Sequence, residues 1–226
     1  GMNGVFHLLG SDIYRVLGIE RVPGVTVAPP PPPINFLTAL RRSTQHLGGG
    51  GNLECLLETA LDSLSNEFGI NQIMLLMHDE GRGRLYTLAS RGYPESGIGS
   101  EIPVGEGVIG ICARERTPIR IGFMTSEYAY GRTVRDSLAA DGHADTLETA
   151  IPLPGLPDAS SQLAVPITAI DRLIGVLYVE SVADLHFGYD DEDALVAFAA
   201  QLGLAMHHHQ ETEELVEDVP GIEGSN

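Results

Sequence analysis

The stretch that decides the fold reads Gln-Leu-Ala-Val-Pro-Ile at residues 162–167 and Gly-Val-Leu-Tyr-Val-Glu at residues 175–180. Both segments are apolar and rich in β-branched residues, which favours strands, and a tight turn at Asp171 separates them. Strands joined so closely run antiparallel, because a parallel pair needs a long crossover connection. Phe187 and Asp191 then open an apolar helix that is predicted to extend to about residue 216.

Upstream of this stretch, the apolar pattern alternates between helical and strand periodicity. It predicts two helices, a strand with an antiparallel return, a third strand segment, a short helix and a further strand, at residues 34–47, 52–69, 73–77, 84–90, 102–104, 108–116 and 118–121. Asn52 is the predicted N-cap of the second helix, and Gly69 is predicted to end it. Residues 122–160 form a long connection that includes another predicted helix at residues 126–140. Tight turns at residues 79–83 and 171–172 argue against a doubly wound parallel sheet. The sequence therefore predicts an α+β fold in which helices flank a central antiparallel sheet.

Composition shifts divide the chain into four parts. Residues 1–33 are predicted to form an extended arm that ends in a stiff spacer, because residues 29–33 are consecutive prolines. Residues 34–51 contain the first predicted helix and a glycine-rich linker, and residues 52–210 form the main domain. Residues 211–226 form an acidic helix end and a tail. A proline-rich ligand for a partner domain is the alternative interpretation of the spacer.

The charge balance excludes several classes of protein. The chain of 226 residues carries 31 acidic and 13 basic side chains, which gives a formal net charge of −18. A surface this acidic repels phosphate backbones, so direct nucleic-acid binding is not expected. All the basic residues are arginine, and the absence of lysine excludes a Schiff-base lysine and the phosphate-binding lysine of a P-loop.

The cysteine count and the hydropathy pattern favour a cytoplasmic location. Cys55 and Cys112 are the only cysteines, which suits a reducing compartment and cannot provide a disulfide framework or, alone, a zinc site. No apolar run approaches the ~20 residues of a membrane-spanning helix, and no signal peptide is evident. We therefore expect a cytoplasmic protein without a membrane partner.

Several short motifs, in their shared order and spacing, resemble those of a GAF domain over residues 52–210. They are Leu-x-x-x-Ala-Ser-Arg-Gly at residues 85–92, Ile-Pro-Val-Gly-Glu-Gly-Val-Ile-Gly at residues 102–110, the two segments at residues 162–167 and 175–180, and Phe187 with Asp191. The resemblance implies an antiparallel sheet of about six strands. It also implies a pocket between the concave face of that sheet and the helices and loops that follow the third strand. A sensory or regulatory domain that binds a small molecule is the function implied.

The ligands known for this family are each disfavoured, so the cofactor is unknown. Phe187 with Asp191 matches half of a motif found in cyclic-nucleotide-binding members, but Glu180 and Ser181 stand where those members have an Asn-Lys pair. We interpret Phe187 as a packing anchor and Asp191 as a first-turn helix residue. Bilin-binding members attach the pigment through a cysteine followed by histidine, a pair that this chain lacks. Three consecutive histidines on the last predicted helix point about 100° apart and cannot converge on one ion, so a metal site is not expected. Haem is disfavoured, and a single haem ligand among the histidines is the alternative.

The candidate ligand-binding residues lie on the predicted pocket helix, in the long connection and at the start of the segment at residues 162–167: Cys112, Tyr128, Tyr130, Arg132, Arg135 and Gln162. The tyrosines offer aromatic faces, and the arginines offer fixed positive charges that pair well with carboxylate or phosphate. We therefore expect an anionic or aromatic small molecule. Salt bridges between these arginines and nearby acids are the alternative.

The cysteines raise the question of catalysis. Arg114 and Arg116 near Cys112 would favour a redox sensor if they lowered the pKa of its thiol, and a small buried residue is the alternative. Cys55, beside the apolar stripe of its helix, is predicted to be a packing residue. Free methionine-R-sulfoxide reductases share the family fold and use a resolving thiol, but this chain has no third cysteine. We assign no catalytic residue and keep a thiol-dependent reductase as an alternative.

The terminal helices suggest a second role, in association. The helix at residues 34–47 could pair with its two-fold mate and bury Phe36, Leu37 and Leu40, which predicts a homodimer. The last helix would then relay a signal to an output domain or a partner protein. Its apolar residues are predicted to pack the domain: Leu195, Phe198, Leu202 and Leu204 to Met206. A dimerisation module without any ligand is the alternative to a ligand-binding sensor.

Overall fold

The computed structural model describes residues 34–47, 51–122 and 151–217, with side chains described as far as residue 212. The chain divides into two units, Gly1–Pro33 and Ile34–Asn226, and all of the described residues belong to the second. The predicted arm, the polyproline spacer, the helix at residues 126–140 and the tail lie outside the described residues. Within the described ranges, no helix is long and apolar enough to cross a membrane.

The described part of the chain contains four helices: α1 (Phe36–Leu47), α2 (Leu53–Phe68), α3 (Gly107–Glu115) and α4 (Tyr189–Glu217). Asn52 caps α2 as predicted, because its side-chain oxygen accepts a hydrogen bond from the N–H of Cys55 at 2.9 Å. Gly69 ends α2 in the left-handed conformation, with φ of 68°, which glycine adopts without a steric penalty. The helices predicted in these ranges are confirmed.

The described residues also form six strands: β1 (Gln72–Asp79), β2 (Arg84–Arg91), β3 (Glu101–Pro103), β4 (Ile119–Ile121), β5 (Ser161–Ala169) and β6 (Arg172–Ser181). They make one sheet with the order β3-β2-β1-β6-β5-β4, and every neighbouring pair is antiparallel. The predicted α+β fold with a six-stranded antiparallel sheet is therefore confirmed.

Side chains alternate between the two faces of the sheet, and the faces pack against different helices. We call one the helical face because it packs against α1, α2 and α4; its buried strand residues include Ile73, Leu75, Met77, Leu163, Val165, Ile167, Leu177 and Val179. We call the other the α3 face; its buried apolar strand residues include Met74, Leu76, Leu85, Ala164, Val176 and Tyr178. The sheet thus separates two packed layers.

The core on the helical face is built around α4. Phe198 is fully buried and meets Phe68 of α2 edge to face, with ring centroids 6.2 Å apart. Leu195 and Leu202 are buried beside it, as predicted. Leu204 was also predicted to pack the domain, but it is 51% exposed. That prediction was wrong because two helical positions turn a side chain by about 200°, which moves Leu204 away from the face of Leu202.

Helix α1 uses most of its apolar side chains within the chain itself. Phe36 and Leu40 are partly buried against the core on the helical face, since an (i, i+4) pair shares one side of a helix. Leu37 is 82% exposed. Of these three residues predicted to lie in a dimer interface, Leu37 therefore presents most of its side chain to solvent.

Candidate functional site

Helix α3 closes the second face of the sheet. Cys112 and Ala113 are buried against the strand residues of the α3 face. The preceding turn folds back on the helix, because the N–H of Gly105 donates to the carbonyl oxygen of Gly110 at 2.8 Å. A Cβ at position 110 would lie 2.4 Å from the carbonyl oxygen of Pro103, so only glycine allows this approach. The glycine-rich motif therefore allows α3 to pack closely against the sheet.

The two cysteines have contrasting surroundings. Cys112 is 0% exposed, and burial raises the pKa of its thiol to about 12. The neighbouring Arg114 and Arg116 do not lower that pKa, so the interpretation of Cys112 as a small buried residue is confirmed. Cys55, which was predicted to pack, is instead exposed on α2 because it lies off the apolar stripe. The two thiols belong to helices on opposite faces of the sheet.

A buried carboxylate marks one end of the α3 face. Glu180 on β6 is 1% exposed, although the strand residues before it are apolar. The hydroxyl of Tyr178 donates to Glu180 Oε2 at 2.9 Å, and the N–H of Leu156 donates to Oε1 at 2.7 Å. These two hydrogen bonds offset part of the cost of removing the carboxylate from water.

Gln162 on β5 stands directly opposite Glu180. The two residues are partners in the antiparallel ladder, so their side chains leave the same face with Cβ atoms about 4.5–5.5 Å apart. Gln162 is 1% exposed, and its Nε2 meets no hydrogen-bond acceptor in the described part of the chain. A buried polar group without a partner costs about 1–3 kcal/mol, so its presence needs an explanation.

The end of the long connection is hydrogen-bonded to the same end of β6 and to the loop that follows it. Its N–H at Leu156 binds Glu180, and the N–H of Ser160 donates to the carbonyl oxygen of Ser181 at 2.8 Å. The hydroxyl of Ser161 donates to the carbonyl oxygen of Ala183 at 2.8 Å. These bonds bring the connection next to the buried pair of Gln162 and Glu180, which we call the polar pair.

The half-matched motif at the start of α4 has a structural role. Phe187 is buried in the core, and Asp191 Oδ2 accepts a hydrogen bond at 2.7 Å from the backbone N–H of the loop before α4. The predicted roles of these two residues, as packing anchor and first-turn helix residue, are confirmed. Arg120 fastens β4 to the same turn, because its Nε donates to Glu192 at 2.9 Å and its guanidinium stacks 4.2 Å from the ring centroid of Tyr189. The hydrogen bond with Glu192 raises the pKa of Arg120.

The structure brings two of the six candidate residues to one face of the sheet. Cys112 and Gln162 both lie on the α3 face, on α3 and β5. The remaining four candidates lie outside the described residues: Tyr128, Tyr130, Arg132 and Arg135. Sequence reasoning missed Glu180 and Tyr178 as site residues. The available signal was a glutamate that ends an otherwise apolar strand segment.

The histidines of α4 do not converge. The rings of His208 and His209 are 6.4 Å apart and inclined at 57°, and His207 Nε2 lies 3.3 Å from Glu211 Oε1. Within the described ranges, no group of three or more metal-ligating side chains is arranged to hold an ion.

Comparison with known proteins identifies one family. The model of the GAF domain matches residues 52–206. No curated protein shows significant similarity to the chain. The chain is similar in structure to the GAF domain from Acinetobacter phosphoenolpyruvate-protein phosphotransferase, with 23% identity, a TM-score of 0.59 and coverage of 83% of this chain and 97% of that one.

Two further solved structures are similar to this chain. One is the free methionine-R-sulfoxide reductase from Neisseria meningitidis in complex with its substrate, with 19% identity, a TM-score of 0.58 and coverage of 78% of this chain and 91% of that one. The other is a methyl-accepting chemotaxis protein (residues 122 to 287), with 18% identity, a TM-score of 0.56 and coverage of 76% and 98%. At these identities the likeness shows the fold.

Proposed function

Because the chain belongs to the GAF domain family, a family of sensory and regulatory domains in general, we propose that it is a non-catalytic sensor that binds a small molecule on the α3 face. The observation that carries the proposal is the polar pair. Gln162 and Glu180 are both 1% exposed in a layer whose other strand residues are mostly apolar. Ligand sites are typically apolar surfaces with a few convergent polar groups. Among the strand residues that the structure describes, no second amide and carboxylate pair is buried.

The ligand of this proposed sensor has an aromatic or anionic part. Tyr128, Tyr130, Arg132 and Arg135 belong to the connection whose end is fastened beside the polar pair. Thermal-shift screening of anionic and aromatic metabolites tests this proposal. A ligand should stabilise the wild type more than an Arg132→Ala, Arg135→Ala double variant, by RT ln(1 + [L]/Kd). Equal stabilisation of both proteins by every ligand in the screen would refute the role of the arginines.

The positions of the cysteines support the absence of catalysis. Cys112 is buried with a raised pKa, and the sheet lies between the layers that hold Cys112 and Cys55. Two cysteines form a disulfide only when their Cα atoms are within about 7 Å, so this pair does not suit a thiol and its resolving partner. We therefore expect no reduction of free methionine-R-sulfoxide by the purified chain. Turnover that is lost in a Cys112→Ser variant would contradict the proposal.

Association through the terminal helices is the second candidate function, with relay to an output domain or a partner protein in the cytoplasm. Its supporting observation is that Leu37 of α1 and Leu204 of α4 are exposed large apolar side chains. Sedimentation at micromolar concentration should show a homodimer, and Leu37→Glu should weaken it. A wild-type monomer would refute this candidate without touching the ligand-binding proposal.

A further inference from the structure

The polar pair has unused hydrogen-bonding capacity of two kinds. Gln162 Nε2 carries two N–H donors, and in the described part of the chain neither has an acceptor. Glu180 receives one hydrogen bond on each carboxylate oxygen, from Leu156 and Tyr178, while a carboxylate has about four acceptor positions. An unused donor and an unused acceptor therefore stand opposite each other on neighbouring strands.

The buried amide differs from the other buried polar atoms that lack partners. The hydroxyls of Ser63 and Ser65 also have none, but both residues lie within α2. A serine in a helix can rotate its hydroxyl toward the carbonyl group four residues earlier. Ser43 of α1 makes this bond with Ala39 at 2.8 Å. Gln162 is on a strand whose backbone carbonyl groups pair with neighbouring strands, so rotation of its side chain offers it no such backbone acceptor.

From this arrangement we infer that the α3 face takes a small ligand with an uncharged carboxamide or lactam edge. Its carbonyl oxygen accepts from Gln162 Nε2, and its N–H donates to the carboxylate of Glu180. This inference rests on the proposed sensory function and specifies the chemistry of the ligand at that site. An amide presents its N–H and C=O side by side, which matches a donor and an acceptor on facing strands.

The chain itself shows how an amide N–H meets this carboxylate. The backbone N–H of Leu156 reaches Glu180 Oε1 at 2.7 Å, which is a short and well-formed hydrogen bond. A ligand amide would make the same kind of bond on the acceptor positions that remain. The aromatic or anionic part of the ligand then lies away from Glu180, since a second carboxylate close to it would be repelled.

Other classes of ligand satisfy the polar pair less well. A carboxylate offers acceptors to Gln162 but no donor to Glu180, and the two negative charges repel. A cation offers donors to Glu180 but leaves the amide of Gln162 without an acceptor. A purely apolar molecule satisfies neither group. Of the four classes compared, only the carboxamide supplies both complementary atoms without net charge.

Three probes of nearly identical shape separate these classes. Benzamide carries a donor and an acceptor, benzoate carries acceptors only, and benzamidinium carries donors only. We expect benzamide to bind with a Kd about tenfold lower than either relative, which is the effect of about one hydrogen bond. Two-dimensional NMR titration of the full chain at millimolar probe measures the three constants. Equal affinities, or tighter binding of benzoate, would overturn the inferred ligand class.

Gln162→Leu gives a second readout that needs no ligand. Replacing an unpartnered buried amide by an apolar group of similar size removes a desolvation cost, so the Tm of the ligand-free protein should rise by about 2–4 °C. The same variant should lose the preference for benzamide. Thr168→Val, on the same strand, is the control for a general effect of apolar substitution and should change the Tm by less.

The probe titration and the Tm of Gln162→Leu distinguish a wrong ligand class from a wrong sensory function. A fall in Tm in Gln162→Leu would mean that the amide has a structural partner such as a bound water molecule, and the inference would be wrong. A metabolite of another class that binds the α3 face while benzamide shows no preference would also overturn it, but would leave the proposed sensory function intact. Absence of any ligand on this face would refute both.

Discussion

The two faces of the sheet bury very different surfaces. The buried strand residues on the helical face are mostly apolar and pack against three helices. The α3 face is covered by the nine-residue helix α3, and its buried residues include Glu180, Gln162 and Tyr178. One sheet therefore supports a core that provides stability and a second layer in which buried polar groups reduce it.

This difference underlies the proposal that the ligand binds on the α3 face. Apolar packing on the helical face contributes free energy of folding through area removed from water. The polar pair contributes little to folding, because buried polar groups gain only modest net stability even when they are hydrogen-bonded. A protein retains such groups where they bind or position something. Substitutions and reagents directed at the two layers should therefore have different effects.

The largest expected effect is the difference between the modification rates of the two thiols. Cys55 is exposed and Cys112 is fully buried, so a thiol reagent should modify Cys55 at least about 10³ times faster in the folded protein. Mass spectrometry of samples quenched over time measures both rates. Fast modification of Cys112 without denaturant would mean that the α3 face is open.

Cys112 should also make the folding stability depend on pH in the alkaline range. Burial raises the pKa of its thiol from 9.0 to about 12, so between these values the unfolded chain loses the proton and the folded chain keeps it. The stabilisation from this group is complete below pH 9 and is lost as the pH rises toward 12. Denaturant unfolding at several pH values should show a steeper loss in the wild type than in Cys112→Ala. Equal slopes would contradict the burial of this thiol.

A truncation in the core of the helical face should cost the most stability. Phe198→Ala removes a fully buried ring that contacts Phe68, and the free energy of unfolding should fall by about 3–5 kcal/mol. Val196, two residues away, is 39% exposed, and Val196→Ala should change it by about 0.5 kcal/mol or less. Urea titration measures both. Similar losses in the two variants would show that α4 is not seated as described.

A methyl group added under α3 should have an intermediate effect. In Gly110→Ala the new Cβ would lie 2.4 Å from the carbonyl oxygen of Pro103, so α3 must shift, at a cost of about 1–3 kcal/mol. Modification of Cys112 should become faster in this variant. Gly81→Ala in an exposed turn, where the nearest atom is the Asp79 side chain at 3.6 Å, is the control and should have little effect. An unchanged Gly110→Ala protein would contradict the close seating of α3.

The smallest expected effect belongs to a surface ion pair on the helical side. Arg91 of β2 lies 2.6 Å from Asp62 and 3.0 Å from Glu58, and both carboxylates are largely exposed to solvent. Arg91→Ala should cost about 0.2–1 kcal/mol, and the loss should diminish at high salt because exposed charges are screened. Urea titration at two salt concentrations measures this. A loss as large as that of Phe198→Ala would be inconsistent with a surface pair.

The sequence was sufficient for the fold because its signals are local. Continuous apolar runs at β1 and β6, the cap at Asn52 and the stop at Gly69 each depend on neighbouring residues, and each was found where predicted. The polar pair depends on register instead. Gln162 faces Glu180 only because β5 and β6 align as they do, and that alignment is not visible in either segment alone.

The wrong burial predictions and the missed site residue also arise from long-range contacts. Leu204 and Cys55 lie within apolar helical segments, and their exposure follows from which side of each helix meets the sheet. Glu180 resembles an ordinary residue at the end of a strand until Leu156, a distant residue in sequence, is brought to it. Long-range contacts of this kind decide the site, whereas local patterns decide the elements.

Methyl NMR during a metabolite screen tests the central claim most directly, because neighbouring residues on one strand report the two faces separately. Ala164 and Val176 report the α3 face, and Val165 and Val179 report the helical face. We predict at least one metabolite that shifts the methyl signals of Ala164 and Val176 and leaves those of Val165 and Val179 in place. Shifts confined to Val165 and Val179 would contradict the assignment of binding to the α3 face.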